Sequence, residues 1–453
     1  MEKAKKKAIN IEDFLDDFYS QSALYQSFRS ISNFVDGLRP SSRKVVYTLR
    51  KQNSAELSKV SRLAASVSSE TEYLHGEASL QNVIINMAQD FTGSNNVNLL
   101  HPSGNFGTRF VPTPAAARYI FTRKTEDFDF LFDRRDDATL EEQEFEGTKI
   151  EPKFYVPVLP VIALNGAEGI GTGFAQKILP RQKEDISKFI EDRLEGRSPS
   201  VPKPWFRGFT GTVEQGEAEN QWITCGVFEK TSKTTLRITE LPIGYTLSAF
   251  VEVLEKLVEN KVIKSYTDRS EDDQFDFEVR VWMEFFEKNN TDHKIRRALG
   301  LEKSMKENFT CIDQYNKIRE FGSITEILDA FIEVRKEFYE KRRQHMLEVL
   351  GRESSFLLSK IEFIEAILGD ELRVNNRAKK TILEDLERLR GTRSIIPDSE
   401  GSFDYLLRLP IWSLTLERIQ ELRKEYASRQ QKIAFLEKAE ITDLWKADLK
   451  RER

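Results

Sequence analysis

The spacing of apolar residues divides the chain into three regions with different predicted structure. In residues 1–145, short helical patterns alternate with loops rich in Gly, Pro and Asn. In residues 146–325, strand-like apolar runs alternate with short helices, a pattern typical of α+β structure. In residues 326–453, Glu, Lys, Arg and Leu dominate and the helical periodicity is long. The pattern therefore predicts a multi-domain α+β protein with one domain in each region.

The third region carries the clearest helical signal. Ser323 and Glu326 fit a capping box at the start of a helix. Apolar residues then recur at spacings of four and three, at Ile327, Phe331, Val334 and Phe338. A second helix keeps a seven-residue repeat, with Arg429 at one seam position, through Ile419, Leu422, Tyr426, Ile433 and Leu436. Two such helices can pair as a long antiparallel coiled coil, and a plain helical bundle is equally compatible with the periodicity.

The segment between these two helices is too apolar for a solvated loop. Its apolar residues include Ile382, Leu386, Leu389 and the stretch 405–412. A compact apolar knob at the tip of a helical stalk is suited to self-association. We therefore predict a globular dimerisation knob here.

The distribution of charge along the chain is more informative than the net charge. The 453 residues carry a net charge of −5, which argues against a uniformly basic nucleic-acid coat. Residues 1–125 hold 16 Lys and Arg against 11 Asp and Glu, a net of +5, whereas residues 126–150 hold 3 against 10, a net of −7. A basic segment followed by an acidic one indicates a polyanionic partner at one surface.

Several other kinds of site are excluded. Cys225 and Cys311 are too few and too far apart for a disulfide framework or a zinc site, and the four histidines are scattered, so we predict no metal site on this chain. The glycine-rich stretch 166–171 resembles a phosphate loop, but Thr172 stands where the loop needs lysine. Asp127 and Asp129 are best interpreted as part of a solvated acidic face. No long apolar run is present, so we expect a soluble, cytoplasmic protein without membrane contact.

Four short motifs within the first 120 residues carry the candidate chemistry. Residues 36–45 read DGLRPSSRKV, residues 73–79 read YLHGEAS, residues 104–107 read GNFG, and residues 116–119 read AARY. These stretches resemble the breakage-reunion core of type IIA topoisomerases, which carries a DGLKP segment, an HG-(D/E) segment, a G-(N/Q)-FG loop and an arginine–tyrosine pair in this order. The resemblance continues at 164–173, 405–415 and 443–445, so it spans nearly the whole chain.

The resemblance implies a fold and a set of site residues. The fold is a winged-helix cleavage domain, an α/β tower domain and a coiled coil ending in a dimerisation knob. Tyr119 matches the nucleophile that takes a DNA strand onto the protein, and Arg118, Arg29 and His75 match residues that contact the scissile phosphate. Ile170 matches an apolar wedge that enters the DNA stack.

A group of basic residues completes the predicted interface. They flank the helix-like runs 45–50 and 58–66 and are predicted to contact DNA phosphates without reading sequence: Arg39, Arg43, Lys44, Lys59 and Arg62.

The resemblance also implies partners and cofactors. The family's Mg²⁺ site belongs to a TOPRIM domain and its ATP site to a GHKL domain, so we expect a separate subunit to bring both. The layout resembles that of T-even bacteriophage members of the family, whose cleaving subunit is a separate chain. The expected assembly is a homodimer on double-stranded DNA, and relaxation or decatenation is favoured over supercoiling.

Three other functions compete with this interpretation. The chain could be a DNA-binding architectural dimer of the same fold that does not cleave. A tyrosine recombinase or relaxase would need a different set of arginines and histidines. A purely structural coiled-coil protein would leave residues 28–119 unexplained.

Overall fold

The computed structural model describes residues 10–52 and 56–451, which form two compact units. The first unit runs to Arg335 and includes the segment that begins at Asp448, and the second is Lys336–Ala447. Both helices and strands build the first unit, which confirms the mixed α/β class predicted from the sequence.

The first unit opens with helices around a small sheet. Its helices are α1 (Ile11–Asp13), a π-helical segment (Phe14–Tyr19), α2 (Ser20–Ser30), α3 (Pro40–Lys51), α4 (Val60–Glu70) and α5 (Glu77–Ala88). The strands are β1 (Ser58–Lys59), β2 (Leu100–Ser103) and β3 (Phe121–Lys124), paired antiparallel in the order β1–β3–β2. Proline at the first position of α3 suits a helix start, where its missing N–H leaves no bond unmade.

The chain then forms two strand pairs, with short helices before and between them and a longer helix after them. These elements are α6 (Glu126–Leu131), a 3-10 turn (Arg134–Thr139), β4 (Glu142–Phe145), β5 (Thr148–Pro152), α7 (Val161–Leu164), β6 (Ala167–Ile170), β7 (Ala175–Ile178) and α8 (Lys183–Leu194). Strand β4 pairs with β5, and β6 pairs with β7.

Two further sheets follow in the first unit, and strands β15 and β16 extend the β6–β7 hairpin into a third. The elements are β8 (Thr212–Gln215), β9 (Gln221–Cys225), β10 (Val227–Ser232), β11 (Thr235–Glu240), α9 (Leu247–Glu259), β12 (Ser265–Asp268), β13 (Phe277–Arg280), α10 (Phe285–Lys288), α11 (Asp292–Ala298), β14 (Glu302–Lys306), β15 (Asn308–Ile312) and β16 (Ile318–Glu320). The sheet orders are β10–β11–β13–β12, β14–β9–β8 and β16–β15–β7–β6. The apolar face of α9 supplies Phe250 and Leu254 to the core that contains Phe277 and Val279 of β13.

The second unit is helical. Its elements are most of α12 (Ile324–Leu368), then α13 (Lys379–Leu389), α14 (Asp404–Leu407), a 3-10 turn (Ile411–Ser413), α15 (Leu416–Lys438) and the larger part of α16 (Ile441–Lys450). Three side-chain bonds join α12 to α15: Glu353 to Arg429, Ser354 to Gln430 and Glu365 to Arg423. Glu365 lies about three turns after Glu353 on α12, whereas its partner Arg423 precedes Arg429 on α15, so the two helices run antiparallel here.

The start of α12 has the predicted capping box, except that the glutamate side chain bonds to the residue before Ser323. Ser323 Oγ accepts the Glu326 N–H at 3.3 Å. The Glu326 carboxylate accepts the N–H of Gly322 at 2.7 Å, rather than that of Ser323. The two bonds satisfy amide groups that a helix start leaves free.

A buried carboxylate at Asp36 joins distant segments of the first unit. Its side chain is fully buried and accepts from Arg43 Nε at 2.8 Å and from Arg43 Nη2 at 3.2 Å. It also accepts the backbone N–H of Leu38 at 2.9 Å and that of Tyr155 at 3.1 Å. Hydrogen bonds to a buried carboxylate offset the loss of its hydration, so Asp36 holds its own turn, α3 and the segment at Tyr155 together.

Gly37 allows this close approach. Its φ of +68° lies in the left-handed region, and a Cβ there would sit 2.5 Å from the backbone nitrogen of Ile162. The DG pair at 36–37 therefore has a packing role.

We expect Asp36→Asn to lower the free energy of unfolding of the first unit by about 3–5 kcal/mol, because it leaves the Arg43 guanidinium buried without its counter-charge. Urea unfolding followed by intrinsic fluorescence measures the loss. Glu142→Gln is the matched control, since it removes an exposed partner of Lys149 and should not change stability measurably. Equal midpoints for Asp36→Asn and the unmodified chain would contradict the role of Asp36.

Candidate active site

Tyr119 and Arg118 lie on an exposed turn that precedes β3. The Tyr119 N–H donates to the carbonyl oxygen of Ala116 at 2.9 Å, which closes the turn. Ala117 and Ile120 are buried, so the two residues between them point outward, and Tyr119 is 65% exposed. The Arg118 guanidinium lies 4.9 Å from the centre of the Tyr119 ring. The turn thus presents a phenol and a fixed positive charge side by side.

Two backbone bonds fix this turn against the start of α4. The Val60 N–H donates to the Ile120 carbonyl at 3.1 Å, and the Ser61 N–H donates to the Ala117 carbonyl at 3.2 Å. They flank the Arg118–Tyr119 pair on both sides, so the backbone that carries the pair is held in place.

The loop that leads to the turn explains the GNFG motif. Asn105 accepts the Gly107 N–H with its side chain at 2.8 Å and the Ala115 N–H with its carbonyl at 2.9 Å. Gly107 has φ +91°, and a Cβ there would lie 2.4 Å from the Pro112 carbonyl oxygen. Phe106 is buried. The motif therefore closes and anchors the loop before the turn.

The structure joins Arg29 and His75 through a residue that the sequence analysis missed. The Tyr25 hydroxyl lies 3.0 Å from His75 Nε2, and the Arg29 guanidinium lies 5.7 Å from the centre of the Tyr25 ring. Tyr25 and Arg29 are four residues apart on α2 and so share one face. That spacing was the one signal in the sequence that could have found Tyr25.

Ile170 lies at the end of β6, in the hairpin formed with β7, and is 81% exposed. The hairpin packs on α2 through its glycines. A Cβ at Gly169 would lie 2.1 Å from the Ser30 carbonyl oxygen, and a Cβ at Gly171 would lie 2.7 Å from Ser27 Oγ. These two glycines are thus required for contact with α2.

Gln176 anchors the same hairpin. A dinucleotide-binding sequence of the form GxGxxG that began at Gly171 would need glycine at this position. The buried side-chain oxygen of Gln176 accepts the Ser32 N–H at 2.9 Å, and its amide donates to the Thr310 carbonyl at 2.9 Å. The glycine-rich stretch is consequently a structural hairpin.

Two of the five basic residues predicted to contact phosphate are not available for it. The Arg43 side chain is 8% exposed and is held by Asp36. The Lys44 ammonium lies 2.9 Å from the Glu151 carboxylate and donates to the Thr71 carbonyl at 2.7 Å. The structure gives these two predictions no support, because both charges are already paired with carboxylates of the protein.

The other three basic residues remain candidates. Lys59 and Arg62 are exposed, and the Lys59 ammonium lies 6.0 Å from the centre of the Phe121 ring. Arg39 is half-buried and donates to the Glu168 carbonyl oxygen on β6. Burial lowers the pKa of Arg39, and the Glu168 carboxylate opposes that shift.

The acidic and cysteine side chains form no second reactive centre among the described residues. The Asp127 carboxylate pairs with Lys183 at 2.8 Å, and the Asp129 carboxylate pairs with Lys124 at 2.9 Å. Within 10–52 and 56–451, His, Cys, Asp and Glu side chains form no group of three or more that could hold a metal ion. Burial raises the pKa of the Cys311 thiol to about 12, which keeps it protonated.

Membrane-spanning helices need a long apolar run, and none of the helices in the described part of the chain has one.

The site residues fall into two groups. Arg118 and Tyr119 form one, and Arg29, Tyr25 and His75 form the other. Among the described residues, no hydrogen bond or ring contact joins the two groups. The first group is held by the start of α4, whereas the second joins α2 to the residue that precedes α5.

Comparison with known proteins identifies a single family. The family model for the A-subunit of DNA gyrase/topoisomerase IV matches residues 29–450. DNA topoisomerase 2 of Penicillium chrysogenum is 33% identical over 97% of the chain, and that of Saccharomyces cerevisiae is 34% identical over 98%. The chain spans about a third of these relatives, 30% and 34% of their lengths.

A solved structure shares the fold. The DNA-binding, cleavage and re-ligation domain of Plasmodium falciparum topoisomerase II superposes with a TM-score of 0.86 at 31% identity. The match covers 98% of this chain and 64% of that one.

We expect Gly169→Ala to destabilise the first unit by about 1–3 kcal/mol, because the added methyl group overlaps the Ser30 carbonyl and forces β6 away from α2. The measurement is urea unfolding. Gly351→Ala, which adds a methyl group to α12 with no atom within 4 Å, is the control and should not destabilise. A Gly169→Ala variant as stable as the unmodified chain would show that the hairpin does not depend on this contact.

Proposed function

Because the chain belongs to the A-subunit family of DNA gyrase/topoisomerase IV, the breakage-reunion part of the type IIA topoisomerases, we propose that it cleaves and rejoins double-stranded DNA. The observation that carries the proposal is the Arg118–Tyr119 pair, exposed on an anchored turn, and we propose Tyr119 as the nucleophile.

The proposed reaction conserves the energy of the broken bond. The Tyr119 hydroxyl attacks a backbone phosphorus, a bond forms from its oxygen to phosphorus, and the bond to the 3′ oxygen of the neighbouring nucleotide breaks. The proton lost by the phenol is balanced by one taken up by the leaving 3′ oxygen. The product is a 5′-phosphotyrosyl link, and the reverse reaction reseals the strand without an external energy source.

Positive charge and hydrogen-bond donors stabilise the transition state of this reaction, in which charge builds on the phosphate oxygens. The Arg118 guanidinium lies beside the Tyr119 ring and can hold two of those oxygens with its planar fork. Arg29 and His75 are proposed to contact the non-bridging oxygens, and their shared neighbour Tyr25 keeps them together in the absence of DNA.

We propose that Ile170 enters the DNA stack. Its exposure at a hairpin end that is seated firmly on α2 supports this role. Unstacking one base step costs a few kcal/mol, which contacts to the bent duplex offset. Arg39, Lys59 and Arg62 are the proposed phosphate contacts around it.

The finer architecture is proposed from the element order. Helices α3 to α5 with the sheet β1–β3–β2 support the winged-helix domain predicted for 1–145, within the part of that range that the structure describes. The sheets of 146–325 support a tower domain, and the antiparallel α12 and α15 support a coiled coil within 326–453.

The remaining parts of the activity are proposed to come from another polypeptide. The curated relatives are about three times as long as this chain, so they contain segments beyond those matched here. We propose a partner that carries the TOPRIM Mg²⁺ site and the GHKL ATP site, as in bacteriophage members of the family. Since the described residues form no carboxylate cluster for a metal, we assign no step on this chain to Mg²⁺.

We propose that the activity on DNA is relaxation or decatenation. The cytoplasmic location stays a prediction.

We also propose a homodimer through the knob of the second unit. Ile411 and Trp412 are 86% and 77% exposed, and Leu416 beside them is also exposed. Buried residues beneath them, including Leu386 and Leu406, give the knob its own core. Large exposed apolar groups on a rigid core are typical of a self-association surface.

We expect Tyr119→Phe to bind DNA with unchanged affinity and to form no covalent complex, because only the attacking oxygen is lost. The assay traps protein–DNA adducts with detergent, in the presence of Mg²⁺ and the TOPRIM/ATPase polypeptide. The chain alone should give little adduct. Tyr315→Phe, which alters another exposed tyrosine, should cleave normally.

Adducts with the Phe variant would overturn the assignment of Tyr119. If no variant and no unmodified protein forms an adduct while DNA is still bound, the non-cleaving architectural dimer is the correct function.

We expect the double variant Ile411→Asp/Trp412→Ser to sediment as a monomer, because charge at the centre of an apolar interface is costly. Unlike deletion of the knob, it leaves the core residues Leu386 and Leu406 in place. Phe435→Asp, at an exposed apolar position on α15, is the control and should remain a dimer. A dimeric double variant would place the interface elsewhere.

A further inference from the structure

His75 is held by a residue from a different part of the chain. Tyr25 lies on α2, whereas His75 lies just before α5, and the Tyr25 hydroxyl is 3.0 Å from His75 Nε2. The two ring centres are 6.5 Å apart with a 45° angle between the planes. The contact therefore fixes one nitrogen of the imidazole to a helix fifty positions earlier in sequence.

A second tyrosine flanks the same imidazole without bonding to it. The Tyr73 ring meets the His75 ring edge-on, with centres 5.4 Å apart. The Tyr73 hydroxyl donates to Ser79 Oγ at 3.3 Å. Tyr25 is thus the hydrogen-bond partner of the ring among the described residues, and Tyr73 limits how the ring can rotate.

We propose that Tyr25 is a positioning residue for His75, whose hydroxyl donates to Nε2 and so keeps the imidazole proton on Nδ1. This inference rests on the proposed function, in which His75 donates to a phosphate oxygen. A neutral imidazole has one N–H donor. If Nε2 were the donor and bonded to the Tyr25 oxygen, no N–H would remain for the phosphate.

The Tyr25 side chain also contacts Arg29, the cation in the group formed by Arg29, Tyr25 and His75. The Arg29 guanidinium lies over the Tyr25 ring, 5.7 Å from its centre, whereas His75 is contacted by the Tyr25 hydroxyl. Removing the hydroxyl alone leaves the ring under Arg29. Tyr25→Phe consequently separates the hydrogen bond to His75 from the contact with Arg29.

The expected effect is modest because Tyr25 is 55% exposed. A hydrogen bond between neutral groups changes a rate by about 3- to 10-fold when it is removed. We therefore expect Tyr25→Phe to reduce the single-turnover rate of covalent-complex formation by about that factor, with unchanged DNA affinity. The exposure also means that the Phe variant should fold with an unaltered thermal midpoint.

The direct test reads the protonation of His75 without DNA or partner. The full chain is labelled with ¹⁵N-histidine, and the four histidines are studied by magic-angle-spinning NMR, with His75→Gln identifying the His75 signals. The unmodified chain should show Nε2 as an unprotonated acceptor and Nδ1 as protonated. Tyr25→Phe should shift the tautomer balance, whereas Tyr73→Phe, the matched control, should not.

His75 signals that are identical in the unmodified chain and in Tyr25→Phe would overturn the proposal, as would a protonated Nε2 in the unmodified chain. The outcome is separable from that of the proposed function. A tautomer shift without any covalent complex leaves the positioning role standing and removes the cleavage role. Normal cleavage with unchanged His75 signals leaves the cleavage role standing and removes the positioning role of Tyr25.

Discussion

A buried carboxylate bonded to four N–H groups holds the segments on which the candidate site depends. Asp36 accepts from the two Arg43 nitrogens and from the backbone of Leu38 and Tyr155. The segment just before it adds backbone bonds, since the Phe34 N–H donates to the Ile312 carbonyl at 2.9 Å. These bonds tie the segment that follows α2 to the start of α3 and to strand β15, so α2 ends at a segment that is held on both sides.

Helix α2 in turn supports three features that are far apart in sequence. It carries Arg29, bonds to His75 through Tyr25, and seats the Ile170 hairpin at Gly169 and Gly171. The proposed wedge and the two proposed phosphate contacts therefore share one support, which keeps the spacing between them constant. Tyr119 lies on a separate turn that is hydrogen-bonded to the start of α4, so the proposed nucleophile and the proposed wedge are held by different helices.

The sequence was sufficient for features that depend on local chemistry. The capping of α12 at Ser323 follows from N-cap chemistry, and the core position of Leu422 on α15 follows from periodicity. It failed where a side chain's partner is distant. Lys44 was predicted to contact phosphate because its partner Glu151 lies more than a hundred residues later, and nothing local to Asp36 and Arg43 showed that the Tyr155 segment would bury their pair.

Glycines and tyrosines show the same limit. A turn and a close packing contact both require glycine, so the sequence could not reveal that Gly169 touches Ser30. Tyr25 carried no motif of its own, and only its spacing from Arg29 marked it. Contacts across fifty or more residues depend on the assembled fold, and no local pattern encodes them.

The central claim is that Tyr119 becomes covalently attached to DNA, and peptide mass spectrometry of a trapped adduct tests it most directly. Trypsin cuts after Arg118 and Arg123, so digestion releases residues 119–123 as one short peptide. After nuclease treatment, this peptide should carry a nucleotide through a 5′-phosphate on its tyrosine, and the other cut end should bear a free 3′ hydroxyl. A nucleotide found instead on Tyr25 or Tyr73, or joined through a 3′-phosphate, would contradict the account.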